Sequence, residues 1–184
     1  MPQSRAGLYS LIVRRLFPLV LVLACSAKNV LEPGTVIGTF QVEGHKQTAT
    51  CGDAKTATDL WLFKVRFSRD LSTLYWLQNR APVKGHIGSD RKVRLETTDT
   101  IQIRPATRTT GACFLARQDV LEATLGPDEP LGDAGGGGFS SLSGTLSYGF
   151  SATEGSNCEG LVDPAVSVLP CETVYAVNAQ KVGP

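Results

Sequence analysis

No run of about 20 apolar residues occurs in this 184-residue chain, so no segment reads as a membrane-spanning helix. Histidine is scarce. His45 and His86 are the only two, no H-E-x-x-H spacing occurs, and both read as solvated surface residues rather than a metal pair. The five cysteines form no C-x-x-C, which removes zinc knuckles and thioredoxin-like redox sites. No G-x-S-x-G nucleophile elbow is present. The four-glycine run at 135–138 is followed by neither lysine nor a helical pattern, so it is no phosphate loop. Asp128, Glu129 and Asp133 lack EF-hand spacing and read as a solvated acidic loop. No metal and no cofactor is implied, and the expectation is a non-enzyme. The alternative is a secreted hydrolase, because a carboxylate pair is defined by separation in space and leaves no motif.

What is present begins with a segment unlike the rest. Residues 1–24 hold Arg5, Arg14 and Arg15 and no acidic residue, followed by the apolar run Leu16-Phe17-Pro18-Leu19-Val20-Leu21-Val22-Leu23. A basic region, a short apolar region and a small residue make a secretory signal. The stretch Val22-Leu23-Ala24-Cys25 resembles the lipobox of bacterial lipoproteins. The resemblance implies cleavage before Cys25 and a diacylglycerol on its sulfur. Ser26 in place of an Asp implies an outer-membrane address. Residues 25–34 then form a lipidated tether ending in Pro33-Gly34, and residues 35–184 form the folded domain.

Without its signal the chain keeps 15 basic and 17 acidic residues, which excludes a strongly basic nucleic-acid binder. The charge is uneven: residues 118–184 carry 1 basic and 9 acidic residues. The halves are expected side by side in one sheet system, with opposite charges across strands. Cys51, Cys113, Cys158 and Cys171 remain as an even set in an exported domain, which points to two disulfides. Four cysteines allow three pairings. The shortest loop favours Cys158–Cys171, leaving Cys51–Cys113.

Beyond the tether the pattern has period two. Val36, Gly38, Phe40 and Val42 alternate with polar residues, as do Trp61, Phe63, Val65 and Phe67, and Leu142, Gly144, Leu146, Tyr148 and Phe150. Such alternation puts one face in a core and one in water. Shorter strands are expected at 73–78, 82–87, 91–97, 100–104, 112–117 and 119–125, with a last one at 171–180 placing Thr173, Tyr175 and Val177 on one face. Residues 117–125 also fit helical spacing. Gly44-His45, Ser68-Arg69-Asp70 and Gly88-Ser89-Asp90 read as turns. Residues 126–138 read as a flexible Gly-rich loop within one domain.

The expected fold is all-β: a single antiparallel meander barrel of about eight strands, with a two-sheet β-sandwich as the alternative. The residues Gly34-Thr35-Val36-Ile37-Gly38-Thr39-Phe40, Cys51-Gly52, Leu74-Tyr75-Trp76-Leu77, the stretch from Phe139 to Leu146, and Pro170-Cys171 resemble the lipocalin-like meander and the small β-rich lipoproteins of myxobacteria. The Gly-x-Trp of true lipocalins is absent near the first strand, where Phe40 stands. The resemblance implies no activity. Trp61, Tyr75 and Trp76 are the candidate lining of a barrel mouth, although aromatics of this number also fill an eight-stranded core. The expected role is a membrane-anchored binding or interaction module of the cell envelope. Its partners would be the membrane, through the lipid, and a protein or small apolar ligand, with no nucleic acid. Mass spectrometry of the membrane fraction should find a lipid-modified peptide beginning at Cys25. A Cys25→Ala protein that matured and fractionated with membranes as the parent does would overturn the expectation.

Overall fold

The computed structural model describes residues 32–51, 57–77, 81–131, 136–160 and 168–184. The signal segment, Cys25, tether residues 25–31 and loop residues 132–135 lie outside them. The chain forms β1 (Thr35–Ala49), β2 (Leu60–Asp70), β3 (Thr73–Leu77), β4 (Val83–His86), β5 (Lys92–Arg104), β6 (Cys113–Leu125), β7 (Asp128–Leu131), β8 (Gly136–Phe139), β9 (Ser141–Ala152) and β10 (Cys171–Gly183). Eight of these make one antiparallel sheet in the order β4-β3-β2-β1-β10-β9-β6-β5. Each strand lies beside its successor, and β1 meets β10. The sheet is therefore an up-and-down meander wrapped into a nearly closed barrel, and the sandwich alternative falls away. The hairpin β7–β8 is a separate two-stranded piece inserted between β6 and β9.

Closure across β4 and β5 is thinner than elsewhere. It consists of the bridge Ile87 to Val93 and a turn in which the Gly88 N–H donates to the Lys92 carbonyl at 2.8 Å. Glycine is required here, since a Cβ on Gly85 would stand 2.2 Å from the Arg94 carbonyl oxygen. The expected Gly88-Ser89-Asp90 turn is thus the joint that brings the sheet round on itself.

Alternation holds through most of the wall. Val65 and Phe67 of β2, Leu142 and Leu146 of β9, and Tyr175 and Val177 of β10 are buried inside. Their strand neighbours Arg66, Ser143 and Asn178 face out and are exposed. Phe40, Phe67 and Phe139 stack at the core with centroid separations of 5.0 to 6.0 Å. Phe139, at the end of β8, makes the inserted hairpin part of the barrel floor. An interior void between Val42, Phe63, Trp76 and Leu121 is about 10 Å³, no more than one water-sized sphere. The barrel is filled.

Several expectations need correction. A β-bulge between Val36 and Gly38 turns Ile37 into the core and leaves Val36 half-buried. Gly44-His45 is no turn but mid-strand in β1. Gly44 faces inward opposite Trp61, leaving room for the rings beside it. Ser68-Arg69-Asp70 belongs to β2, and the chain reverses at Leu71-Ser72. The strands read separately at 91–97 and 100–104 are one, β5, and those at 112–117 and 119–125 are one, β6. Of the polar residues mistaken for breaks, Asp99 turns inward opposite Arg117, while Thr98 and Gln118 pair with each other on the outer face. The loop at 126–138 contains β7 and β8.

The chain before β1 lies against the wall. The Ser68 hydroxyl, on the outer face of β2, donates to the Pro33 carbonyl at 2.5 Å and is wholly buried, while Arg66 pairs with Glu32. Gly34 has φ +74°, and a Cβ there would lie 2.4 Å from the Arg69 carbonyl oxygen. Opposite charges do meet across strands, as expected: Arg94 of β5 pairs with Glu122 directly opposite on β6.

The disulfide pairing differs from the expectation. Cys51 joins Cys171 and Cys113 joins Cys158, each with Cα atoms 4.8 Å apart. The short-loop argument fails because Cys171 opens β10, whose neighbour is β1, and Cys51 follows the end of β1. Ala49 already stands opposite Thr173, so the ladder itself delivers the two sulfurs. The bridges close loops of 120 and 45 residues, and the chain-entropy relation assigns such loops about 4–5 kcal/mol each.

Phe67→Ala should cost about 3–5 kcal/mol, as truncation of a buried Phe does. Arg66→Ala, one residue away on the outer face, should cost under about 1 kcal/mol, like an exposed ion pair. Chemical denaturation of the two variants checks the assignment, and equal losses would contradict the inside–outside reading.

Candidate functional site

The barrel has two unlike ends. At the floor, apolar residues and the β7–β8 hairpin close it. At the mouth, reached by the end of β1 and the starts of β2, β6 and β10, the inward positions change character. Along β6 the inward series runs Cys113, Leu115, Arg117, Asp119, Leu121. Along β5 it reaches Thr97 and Asp99, which lie opposite Asp119 and Arg117.

Arg117 and Asp119 explain each other. Two residues apart on one strand, they share a face, and Arg117 Nε donates to Asp119 Oδ1 at 2.7 Å. Asp119 is 5% exposed, and leaving its carboxylate unpaired would be costly. The guanidinium also lies over the Tyr148 ring, 4.9 Å from the centroid. The Arg117 side chain is one-third exposed, so its terminal nitrogens reach the mouth.

Aromatic rings complete the place. Trp61 of β2 stacks on Phe63 below it at 4.4 Å and lies 5.4 Å from Tyr148 and 5.5 Å from Tyr175. Three strands contribute these rings, and the interior side of each is set by strand alternation. Together Trp61, Tyr148, Tyr175, Phe150, Thr173 and Arg117 line a cup of about 310 Å³, whose rim includes Thr58 and Cys51. The Cys51–Cys171 bridge and Leu115 form a second small core that braces the rim. On the rim Lys46 donates to the Ala57 carbonyl at 2.8 Å and pairs with Asp59 at 2.7 Å. The hydrogen bond and charge of Lys46 hold the Asp59 carboxyl below its ordinary range.

The Tyr148 phenol is pushed well above its ordinary value of 10.0, first by burial and then by the nearby Asp119 carboxylate. It therefore remains a neutral hydroxyl that can donate and accept. The cup is made of aromatic rings, hydroxyls and one guanidinium whose charge is matched by its neighbour. Such a surface can hold a small molecule that is flat on one side and polar at its edge.

Of the aromatics singled out in the sequence, Trp61 lines the cup. Trp76 does not; it packs against the core beside Phe67, around the small internal void. Tyr75 does not either, since it points to the opposite face of β3, across from Ser68 and Lys84. Sequence reasoning missed Arg117 and Tyr175, and it assigned Tyr148 and Phe150 to the solid core. The available signal was a charged pair at inward parity, Arg117 and Asp119 between Leu115 and Leu121. His45 and His86 sit on β1 and β4, with His45 bonded to Glu43 at 2.7 Å.

A larger hollow of about 600 Å³ lies on the outside of β5, β6 and β9. It has no Phe, Tyr or Trp ring in its lining, and its charges are already engaged: Arg94 with Glu96 and Glu122, Lys92 with Asp90. The cup is the better candidate on chemistry, despite its smaller volume. Comparison with protein-family models, curated proteins and solved structures finds no match for this chain.

Because Tyr148 is held neutral, its contribution to stability is complete below pH 10.0, the ordinary value, and is lost as pH rises through the raised folded value. The parent protein should therefore lose stability more steeply above pH 10 than Tyr148→Phe. Thermal melts of both across that range check it, and parallel curves would contradict the shift.

Proposed function

We propose that this protein is a lipid-anchored lipoprotein of the bacterial cell envelope whose barrel mouth binds a small molecule. The observation that carries the binding reading is the cup at Trp61, Tyr148 and Tyr175, with Arg117 at its side, above a core that has no room for a ligand. Its volume, about 310 Å³, lies at the lower end of the range for ligand sites, which suits an occupant of one or two rings. The anchoring half of the reading is supported by the basic, apolar and small-residue order of residues 1–25. It fits an outer-membrane location, from Ser26 after the cysteine.

Binding is favoured over hydrolysis by the placement of the carboxylates. Asp119 is engaged by Arg117, and neither Asp119 nor Asp99 lines the cup. A general acid or base has to reach the substrate.

Indole is a suitable neutral, flat probe. Equilibrium dialysis should show it bound to the full protein and weakened about tenfold by Trp61→Ala, the loss expected when a stacking ring is removed. Trp76→Ala, in the core wall, should leave the affinity of the folded protein unchanged. Indole binding that is absent, or indifferent to Trp61, would overturn the cup as a ligand site.

A further inference from the structure

Resting on the reading of the mouth as a ligand site, we propose that its ligand is a neutral sugar: a single pyranose ring or the terminal ring of a longer glycan. Three features of the cup lead there together.

The first is ring geometry. Trp61, Tyr148 and Tyr175 bring rings from three strands to one space; Tyr175 is buried and Arg117 covers one face of Tyr148, so Trp61 supplies the stacking face. A pyranose has a face made of C–H bonds, and burying it against an aromatic face removes apolar surface from water on both sides.

The second is the polar inventory. The same cup carries the hydroxyls of Thr58, Thr173, Tyr148 and Tyr175. Each hydroxyl both donates and accepts. The terminal nitrogens of Arg117 donate, while its Nε is committed to Asp119. A purely apolar occupant would bury these groups without partners, which disfavours it. A polyol edge offers partners to all of them.

The third is charge. Arg117 lies on the Tyr148 ring and thereby fills the place a ligand cation would take in an aromatic cage. An anion would meet Arg117, but that charge is matched by Asp119, and Asp99 stands opposite Arg117 on the next strand. The local balance gives neither sign an advantage, so the occupant is neutral. Among the described residues, the cup is open at the mouth and closed below by Phe63 and the filled core. One ring therefore enters, and the rest of a chain extends outward.

Asp119 is a positioning residue in this scheme. It does not line the cup. It fixes the guanidinium so that its terminal nitrogens, and not its Nε, meet the ligand.

The test uses the full protein in a detergent without a sugar headgroup, with saturation-transfer NMR on a panel of neutral hexoses, pentoses and N-acetylhexosamines, alongside glucose 6-phosphate and indole. At least one neutral sugar should bind in the millimolar range or tighter and compete with indole, with the phosphate weaker than its parent sugar. Tyr148→Phe should weaken the sugar about fivefold and spare indole, the loss expected for one neutral hydrogen bond. Arg117→Gln leaves Asp119 buried without a partner and could unfold the mouth. The double change Arg117→Gln with Asp119→Asn removes both charges, and it should weaken sugar about tenfold with indole affinity kept. Indole binding without any sugar in the panel overturns the sugar assignment and leaves the cup standing. Failure of both overturns the cup itself, and the sugar with it. Tighter binding of the phosphate than of its parent sugar overturns the electroneutral argument.

Discussion

The ladder between the first and last strands turns a row of alternating residues into an inside and an outside. From Thr39 opposite Gly183 to Ala49 opposite Thr173, β1 and β10 pair along most of their length. Without that pairing the meander would be an open sheet with β1 and β10 at exposed edges, and one face would lack cover. Closure covers the inner face with itself. The Cys51–Cys171 bridge continues the same ladder beyond its last paired residues, so the covalent link and the hydrogen-bonded one enforce a single register. A slip by one residue would expel Phe40, Val42, Tyr175 and Val177 from the core at once. The second bridge acts locally. Cys113–Cys158 ties the start of β6 to the chain following β9, where Arg104 also donates to the Asn157 and Glu159 carbonyls.

Charge inside such a barrel is tolerable in few places. Arg117 and Asp119 are inward on β6, a strand otherwise apolar on that face. Burying such a pair gains little stability over apolar residues of the same size, whereas breaking it by removing one member is expensive. The pair is thus poorly explained as a stabilising device. It makes better sense as a way to hold a guanidinium at a fixed place near the mouth, with aromatic support from Tyr148 beneath it. The tyrosine hydroxyl stays neutral for the same reason that the pair is costly: burial and a nearby carboxylate both oppose a new negative charge.

Much of the wall was legible in the sequence because period two has one physical cause. The series Trp61 to Phe67 and Leu142 to Phe150 face the interior as their spacing says, and the break at Gly88-Ser89-Asp90 is a true reversal. The misreadings share a cause as well. Gly44, Ser68, Thr98-Asp99 and Gln118 were taken as turns or breaks because they are polar or small. In the structure Gly44 leaves space for rings, Ser68 is buried against Pro33, Asp99 turns inward opposite Arg117, and Thr98 and Gln118 stand on the outer face, where Gln118 donates to Glu96. Local composition cannot separate a loop from a stretch of strand that is polar on both faces, because near the mouth of a barrel the inward positions need not be apolar. The disulfides show the same limit. Which cysteines pair was decided by closure, and a meander barrel already implies that the first and last strands are neighbours. Loop length was the wrong criterion once the topology was in hand.

A filled barrel also limits where binding can occur. With Phe40, Phe67 and Phe139 packed across the lower interior, a ligand has no route to the centre short of unpacking the core, and cores of this density resist that. The floor is closed by the inserted hairpin through Phe139. What remains is the upper third, where the inward residues become aromatic and polar and the wall is braced by a disulfide. The tether approaches elsewhere: Glu32 and Pro33 lie on the outer surface of β2 and touch nothing in the cup. Residues 32 and 33 and the inward positions of β2, β6, β9 and β10 at the mouth are therefore separate parts of the surface, and neither has to change for the other.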